Sequence, residues 1–166
     1  MRREADLGRK GPTMDQTKQI VVQSVIGAYY FQSPAPWACI SIVTEENTWP
    51  KISEANRVGL LQLAFADIAA VEGQEERAFK EEHARKILDF IREMWDKIEV
   101  LMVHCEEGNS RGPAVAAAIS RIRFGEDRTY FLPHMFWPNR LVYRVLLETA
   151  RKRGEYEGSI DTGGRW

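Results

Sequence analysis

Four short apolar runs set the organisation of the chain. "KQIVVQSVI" (Lys18 to Ile26) is short and rich in β-branched residues, and it predicts a strand. "WACISIVT" (Trp37 to Thr44) predicts a second, and "LLQLAFAD" (Leu60 to Asp67) a third. "IEVLMVHC" (Ile98 to Cys105) predicts a fourth and is the most uniformly apolar. Near-continuous apolar runs mark parallel strands that are covered on both faces. Between the third and fourth runs lies "QEERAFKEEHARKILDFIREMWDK". Its Phe79, Ala84, Ile87, Leu88, Ile91, Met94 and Trp95 recur at helical spacing. Its acids cluster early, as a helix dipole favours. Strand, long helix and strand make a crossover unit. "PAVAAAISRI" predicts a second helix, with Pro113 suited to its first turn. "PNRLVYRVLLETARKR" predicts a third, with Pro138 near its start. The pattern predicts one α/β domain, with a small, mostly parallel central sheet flanked by helices in three layers.

The domain is expected over residues 16–153. Residues 1–15 are polar and contain Gly-Pro, and they read as a disordered or vector-derived leader, or as an alternative start before Met14. The segment 154–166 is glycine-rich and reads as a flexible tail.

Composition narrows the function classes. The 166 residues suit one sizeable core, and a formal charge of −1 gives no basic field for nucleic acid. No apolar stretch approaches the roughly 20 residues of a membrane span. The first residues are charged and lack an apolar segment, so no signal peptide is expected. Two cysteines make no disulfide framework. The expected compartment is cytoplasmic and reducing, which keeps a thiol usable. Three histidines and two cysteines show no metal-ligand spacing, so neither metal nor other cofactor is expected.

The chemistry concentrates where the fourth run ends, in "HCEEGNSRG" (His104 to Gly112). Cysteine and arginine six positions apart mean little alone. Here the cysteine stands at the carboxyl end of a predicted buried strand, where open α/β sheets bind ligands. Gly108 lies mid-loop and can take positive φ. A helix begins beside the arginine, so the free amides of Glu106, Glu107, Gly108, Asn109 and Ser110 should converge as an anion nest. A thiol attacks as thiolate, and the helix start, the amides and Arg111 all favour that form of Cys105. Arg111 carries a planar fork matched to two phosphoryl oxygens. His104 should sit behind the loop and fix it by hydrogen bonds. Ala114 and Ala116 to Ala118 allow close packing of helix on sheet.

His-Cys, five residues, then Arg resembles the signature of the cysteine-dependent protein phosphatases. "HCEEGNSR" is most similar to the dual-specificity branch, with Gly108 third and Ser110 fifth after the cysteine. The order "ISIV", "LQLAFADI", long helix, loop, alanine-rich helix and "PNR" helix also resembles small predicted bacterial tyrosine phosphatases, over roughly residues 18–150. The resemblance implies a phosphate monoester hydrolase with a phosphocysteine on Cys105. Its substrate would be a phosphorylated protein or a small phosphate ester, and phosphate, sulfate or vanadate would fill the loop. It also implies an aspartic acid that protonates the leaving oxygen. "FADI" supplies Asp67, at the end of the third strand on the same sheet edge, with Glu72 and Glu75 in reserve.

Two departures stand out. The family usually has Ser or Thr directly after the arginine, where this chain has Gly112. Glu107, beside Glu106, replaces a usual alanine, with both acids expected to point outward from the nest. These features support an alternative, a pseudophosphatase-type module that binds phosphate or phosphoprotein and turns over poorly. Sulfur transfer and arsenate reduction are further options, the latter needing a second reactive cysteine, for which only Cys39 is available. Cys39, His83 and the aromatic residues from Phe131 to Trp137 otherwise read as core, solvated helix face and core. His134, Asn139 and Arg140 are placed near the mouth of the site or in cap and surface roles.

Overall fold

The computed structural model describes residues 18–70 and 72–160. The expected leader lies outside them. Strands β1 (Gln19–Gln23), β2 (Trp37–Val43), β3 (Arg57–Ala64) and β4 (Val100–His104) form one sheet in the order β1-β4-β2-β3. Every adjacent pair is parallel. All four strands therefore end at one edge, and the loop after β4 emerges in the middle of it.

The sheet is covered unequally. Helices α2 (Glu81–Met94), α3 (Arg111–Phe124) and α4 (Arg140–Lys152) share the larger core with Ala38, Ile40, Leu101 and Val103. The short helix α1 (Val25–Tyr30) covers the other face, where Ala28 packs with Trp37, Cys39 and Met102. The period of two in a strand sends alternate residues of β2 to these two cores. Helix α2 buries Ala84, Ile87, Leu88, Ile91 and Met94, the stripe that its periodicity predicts. Helix α3 differs, because Arg111 to Ser120 are all buried. Its small residues let it lie close between the sheet and α4, and Gly125 ends it in the left-handed conformation.

Three elements depart from the sequence reading. The first strand stops at Gln23, because the Ser24 hydroxyl accepts from the Gly27 N–H and caps α1. The third strand runs from Arg57 to Ala64, and Asp67 lies beyond it on a loop. The chain leaves the ladder there because the Ala66 N–H bonds the Arg77 carbonyl instead of a strand. Helix α2 begins only at Glu81, so residues 74–80 are not a helix face. His83 is only partly solvated: its Nδ1 accepts from the Lys80 N–H at 2.9 Å, and its ring stacks on Phe79. Burial, with Lys80 nearby, pushes its imidazole below the ordinary range.

Residues 154–160 stay attached to the domain, where the sequence suggests a free tail, and the rest of that segment lies outside the described residues. Tyr156 and Ile160 lie against the main core, and the Tyr156 hydroxyl accepts from Arg121 Nε and donates to the Ser159 carbonyl. Among the described residues no helix is long and apolar enough to cross a membrane.

Candidate active site

The loop from Cys105 to Ser110 joins β4 to α3 and rests on the end of β1. The Cys105 N–H reaches the Gln23 carbonyl, and the Val25 N–H donates to the Glu106 carbonyl at 3.0 Å. Gly108 has φ +77°, and a Cβ there would stand 2.8 Å from the Ser24 nitrogen. Positive φ and this close approach both demand glycine. Gly108→Ala should therefore cost about 2 kcal/mol or more, read as a lower melting temperature, with anion binding by the loop lost as well.

Cys105 lies at the floor of the loop, 2% exposed. The first turn of α3 points a donor at it, the Gly112 N–H at 3.2 Å from Sγ. A Cβ at Gly112 would meet Sγ at 3.3 Å, close enough that a small side chain there needs a shift of a few tenths of an ångström.

Arg111 is buried beneath the loop, 4% exposed. Its Nη1 donates to the Phe65 carbonyl at 2.8 Å and to Thr44 Oγ1 at 3.0 Å. The ends of β2 and the β3 loop thus seat the guanidinium from below. Nη2 donates to Glu106 Oε1 at 3.1 Å. Nε is buried and has no hydrogen-bond partner among the described residues. Glu106 therefore does not simply turn outward as expected. It folds back on the fork because the arginine offers the nearest positive charge. Glu107 is exposed.

His104 is fully buried behind the loop. Its Nδ1 lies 3.3 Å from the Cys105 carbonyl, and its Nε2 lies 2.6 Å from Ser41 Oγ. A carbonyl only accepts, so Nδ1–H donates and the neutral ring accepts the Ser41 hydroxyl at Nε2. Burial above all, with Arg111 also nearby, pushes the imidazole below its ordinary range.

The structure brings Asp67 to the far side of the loop, where it is exposed. Its Oδ1 accepts from Ser110 Oγ at 2.8 Å and from Asn139 Nδ2 at 2.7 Å. Asn139 is 5% exposed and its Oδ1 accepts the Val142 N–H, which caps α4. Its own N–H donates to the Ser110 carbonyl at 3.0 Å. The start of α4 is thus tied to both the acid and the loop. Glu75 instead accepts from the Gly73 N–H within its own turn, and Glu72 is exposed.

Cys39 is free and packs in the core on the opposite face of the sheet from Cys105. Burial pushes its thiol up to about 12. The two cysteines share no core, which weighs against the redox partnership that arsenate reduction would need. Among the described residues no group of three His, Cys, Asp or Glu could hold a metal. Sequence reasoning did not find Ser41, Thr44 or the Phe65 carbonyl. Ser41 left a trace, as the one hydroxyl inside an otherwise apolar strand.

No protein-family profile matches the chain, and no curated protein does. Solved structures do. The chain is similar to the human tyrosine phosphatase-like serine/threonine/tyrosine-interacting protein, with a TM-score of 0.58 at 20% identity, over 81% of this chain and 92% of that one. It is also similar to PTPMT1, solved in complex with PI(5)P, with a TM-score of 0.54 at 13% identity, over 81% and 91%. The class that these define is the dual-specificity-phosphatase-like α/β fold, and this chain has that fold.

Proposed function

We propose that the chain is a phosphate monoester hydrolase that works through a phosphocysteine on Cys105. The observation that carries this reading is the buried Arg111 Nε, unpartnered beside a loop whose cysteine already receives an amide N–H. A buried guanidinium N–H without an acceptor is costly, and a phosphoryl oxygen is the acceptor its fork fits. The likeness in fold to a tyrosine phosphatase-like protein and to a protein that binds PI(5)P supports a phosphate ester as ligand.

Cys105 Sγ attacks phosphorus as the bond to the ester oxygen breaks. Asp67 gives its proton to that oxygen. Its Oδ1 already accepts two hydrogen bonds, so the proton of the acid form sits on Oδ2. Water then attacks phosphorus, Asp67 takes the proton back, and the thiolate leaves. Arg111 and the loop amides hold the phosphoryl oxygens throughout.

Asp67→Asn should lower kcat by about 10²-fold or more, as loss of a general acid does. The drop should be larger for phenyl phosphate than for p-nitrophenyl phosphate, whose leaving group needs less protonation. Asn139→Ser keeps a helix cap and removes the grip on Oδ1. It should lower kcat by about tenfold with the same dependence on leaving group. Equal losses for the two esters would remove Asp67 from the role of acid.

A second reading has specific support. Gly112 offers no hydroxyl to the departing thiolate, and Glu106 already occupies Nη2 of Arg111. The first slows release of a loaded phosphoryl group, and the second makes the phosphoryl group compete for the fork. Gly112→Ser should then raise the steady-state rate severalfold and shrink the pre-steady-state burst. A wild type without turnover, whose melting temperature still rises with phosphate, would give the binding-module reading the lead.

A further inference from the structure

A cavity of about 560 Å³ opens against the flank of the loop, within the usual range of ligand pockets. Asp67 and Ser110 form one edge, and Phe131, Leu132, Phe136 and Trp137 supply most of the walls. Sequence reasoning expects these aromatic residues in the core. Phe131 does pack against the main core, but Trp137 is 65% exposed and the neighbouring Leu132 46% exposed. Large apolar side chains held in water beside a reactive loop mark a binding surface more often than a packing accident.

The cavity is registered to the loop. The Trp137 N–H donates to the Asn109 carbonyl at 2.8 Å, and two residues further on the Asn139 N–H donates to the Ser110 carbonyl at 3.0 Å. Its walls are braced from behind, Phe136 stacking on Tyr130 and Phe131 meeting Tyr143 edge-on. The ester oxygen must meet Asp67, and Asp67 is the edge that this cavity shares with the site. Whatever extends beyond that oxygen is therefore led along the aromatic wall.

Resting on the hydrolase reading above, we infer that this cavity is a substrate subsite. It selects phosphate monoesters whose alcohol carries a further apolar or aromatic group beyond the atoms that bear the phosphate. The charges agree with an uncharged extension. Arg140 and His134 are the basic residues of the lining, too few for a polyphosphorylated headgroup. Glu106 and Glu107, exposed on the loop, repel one.

The test measures binding to the full chain carrying Cys105→Ser, so that it does not depend on turnover. Calorimetry compares phenyl phosphate, 4-biphenylyl phosphate and inositol trisphosphate. The biphenylyl ester should bind about tenfold tighter than the phenyl ester, the gain expected from burying one further ring. Adding Trp137→Ala or Phe136→Ala should bring that ratio toward one, and Tyr30→Ala, exposed on α1, should leave it as it was. Equal affinities in the parent, a preference that survives both aromatic substitutions, or tighter binding of inositol trisphosphate would overturn the subsite. So would failure of every ester to bind, which would remove the phosphate site as well. A biphenylyl preference in a chain whose wild type hydrolyses neither ester would keep the subsite and remove the hydrolase reading alone. Hydrolysis of both esters at equal kcat/KM would do the reverse.

Discussion

Cys105→Ser should lower hydrolysis of p-nitrophenyl phosphate by about 10⁴-fold or more, the scale on which loss of a covalent nucleophile is felt. Serine is close in size and fills the same buried position at the floor of the loop. The Gly112 N–H that lies 3.2 Å from sulfur can donate to its hydroxyl as well. What is lost is the sulfur nucleophile. A serine hydroxyl attacks poorly unless a base takes its proton, and His104 faces away, committed to Ser41 and the Cys105 carbonyl. The variant should keep its melting temperature and its rise with phosphate. A large fall in stability instead would make Cys105 a packing residue.

Arg111→Lys should lower kcat/KM by about 10³-fold, because the transition-state charge loses its bidentate partner. The guanidinium does two tasks at once. Nη1 bonds Phe65 and Thr44, which anchors the loop to the ends of β2 and β3. Nη2 and Nε face the other way, one to Glu106 and one to no described partner. An ammonium is a single point with no fork, so it can serve the anchor or the phosphoryl group, not both. Circular dichroism separates the two effects: a folded variant with a raised KM and a lowered kcat supports the anion role. Unchanged kinetics would contradict it.

The apolar runs made the four strands and the order of the helices legible, because continuous burial on both faces leaves nearly unbroken hydrophobic sequence. The loop was legible for the opposite reason. His104, Cys105, Gly108 and Arg111 stand together at a strand end, where an ordinary core would not put them. Contacts made by backbone were hidden. Arg111 is seated by the backbone carbonyl of Phe65, which no side-chain pattern signals. The turn at Ser24 was missed because Val25 and Ile26 continue the β-branched pattern of β1 while already belonging to α1. Phe131 does lie against the main core, as its aromatic character suggests, but Trp137 does not. The Trp137 N–H bonds the Asn109 carbonyl, a contact that composition does not report. The pairing of Asp67 with Asn139 joins distant parts of the chain through side chains, and no periodicity signals it.

The most direct measurement is the intact mass of wild-type protein, quenched in acid within the first turnovers of a phosphate ester, with the modified residue located by fragmentation. One added phosphoryl group on Cys105 is expected, absent from Cys105→Ser and persisting longer when water attack is slow. Hydrolysis that proceeds with no adduct, and that survives Cys105→Ser, would contradict the phosphocysteine mechanism.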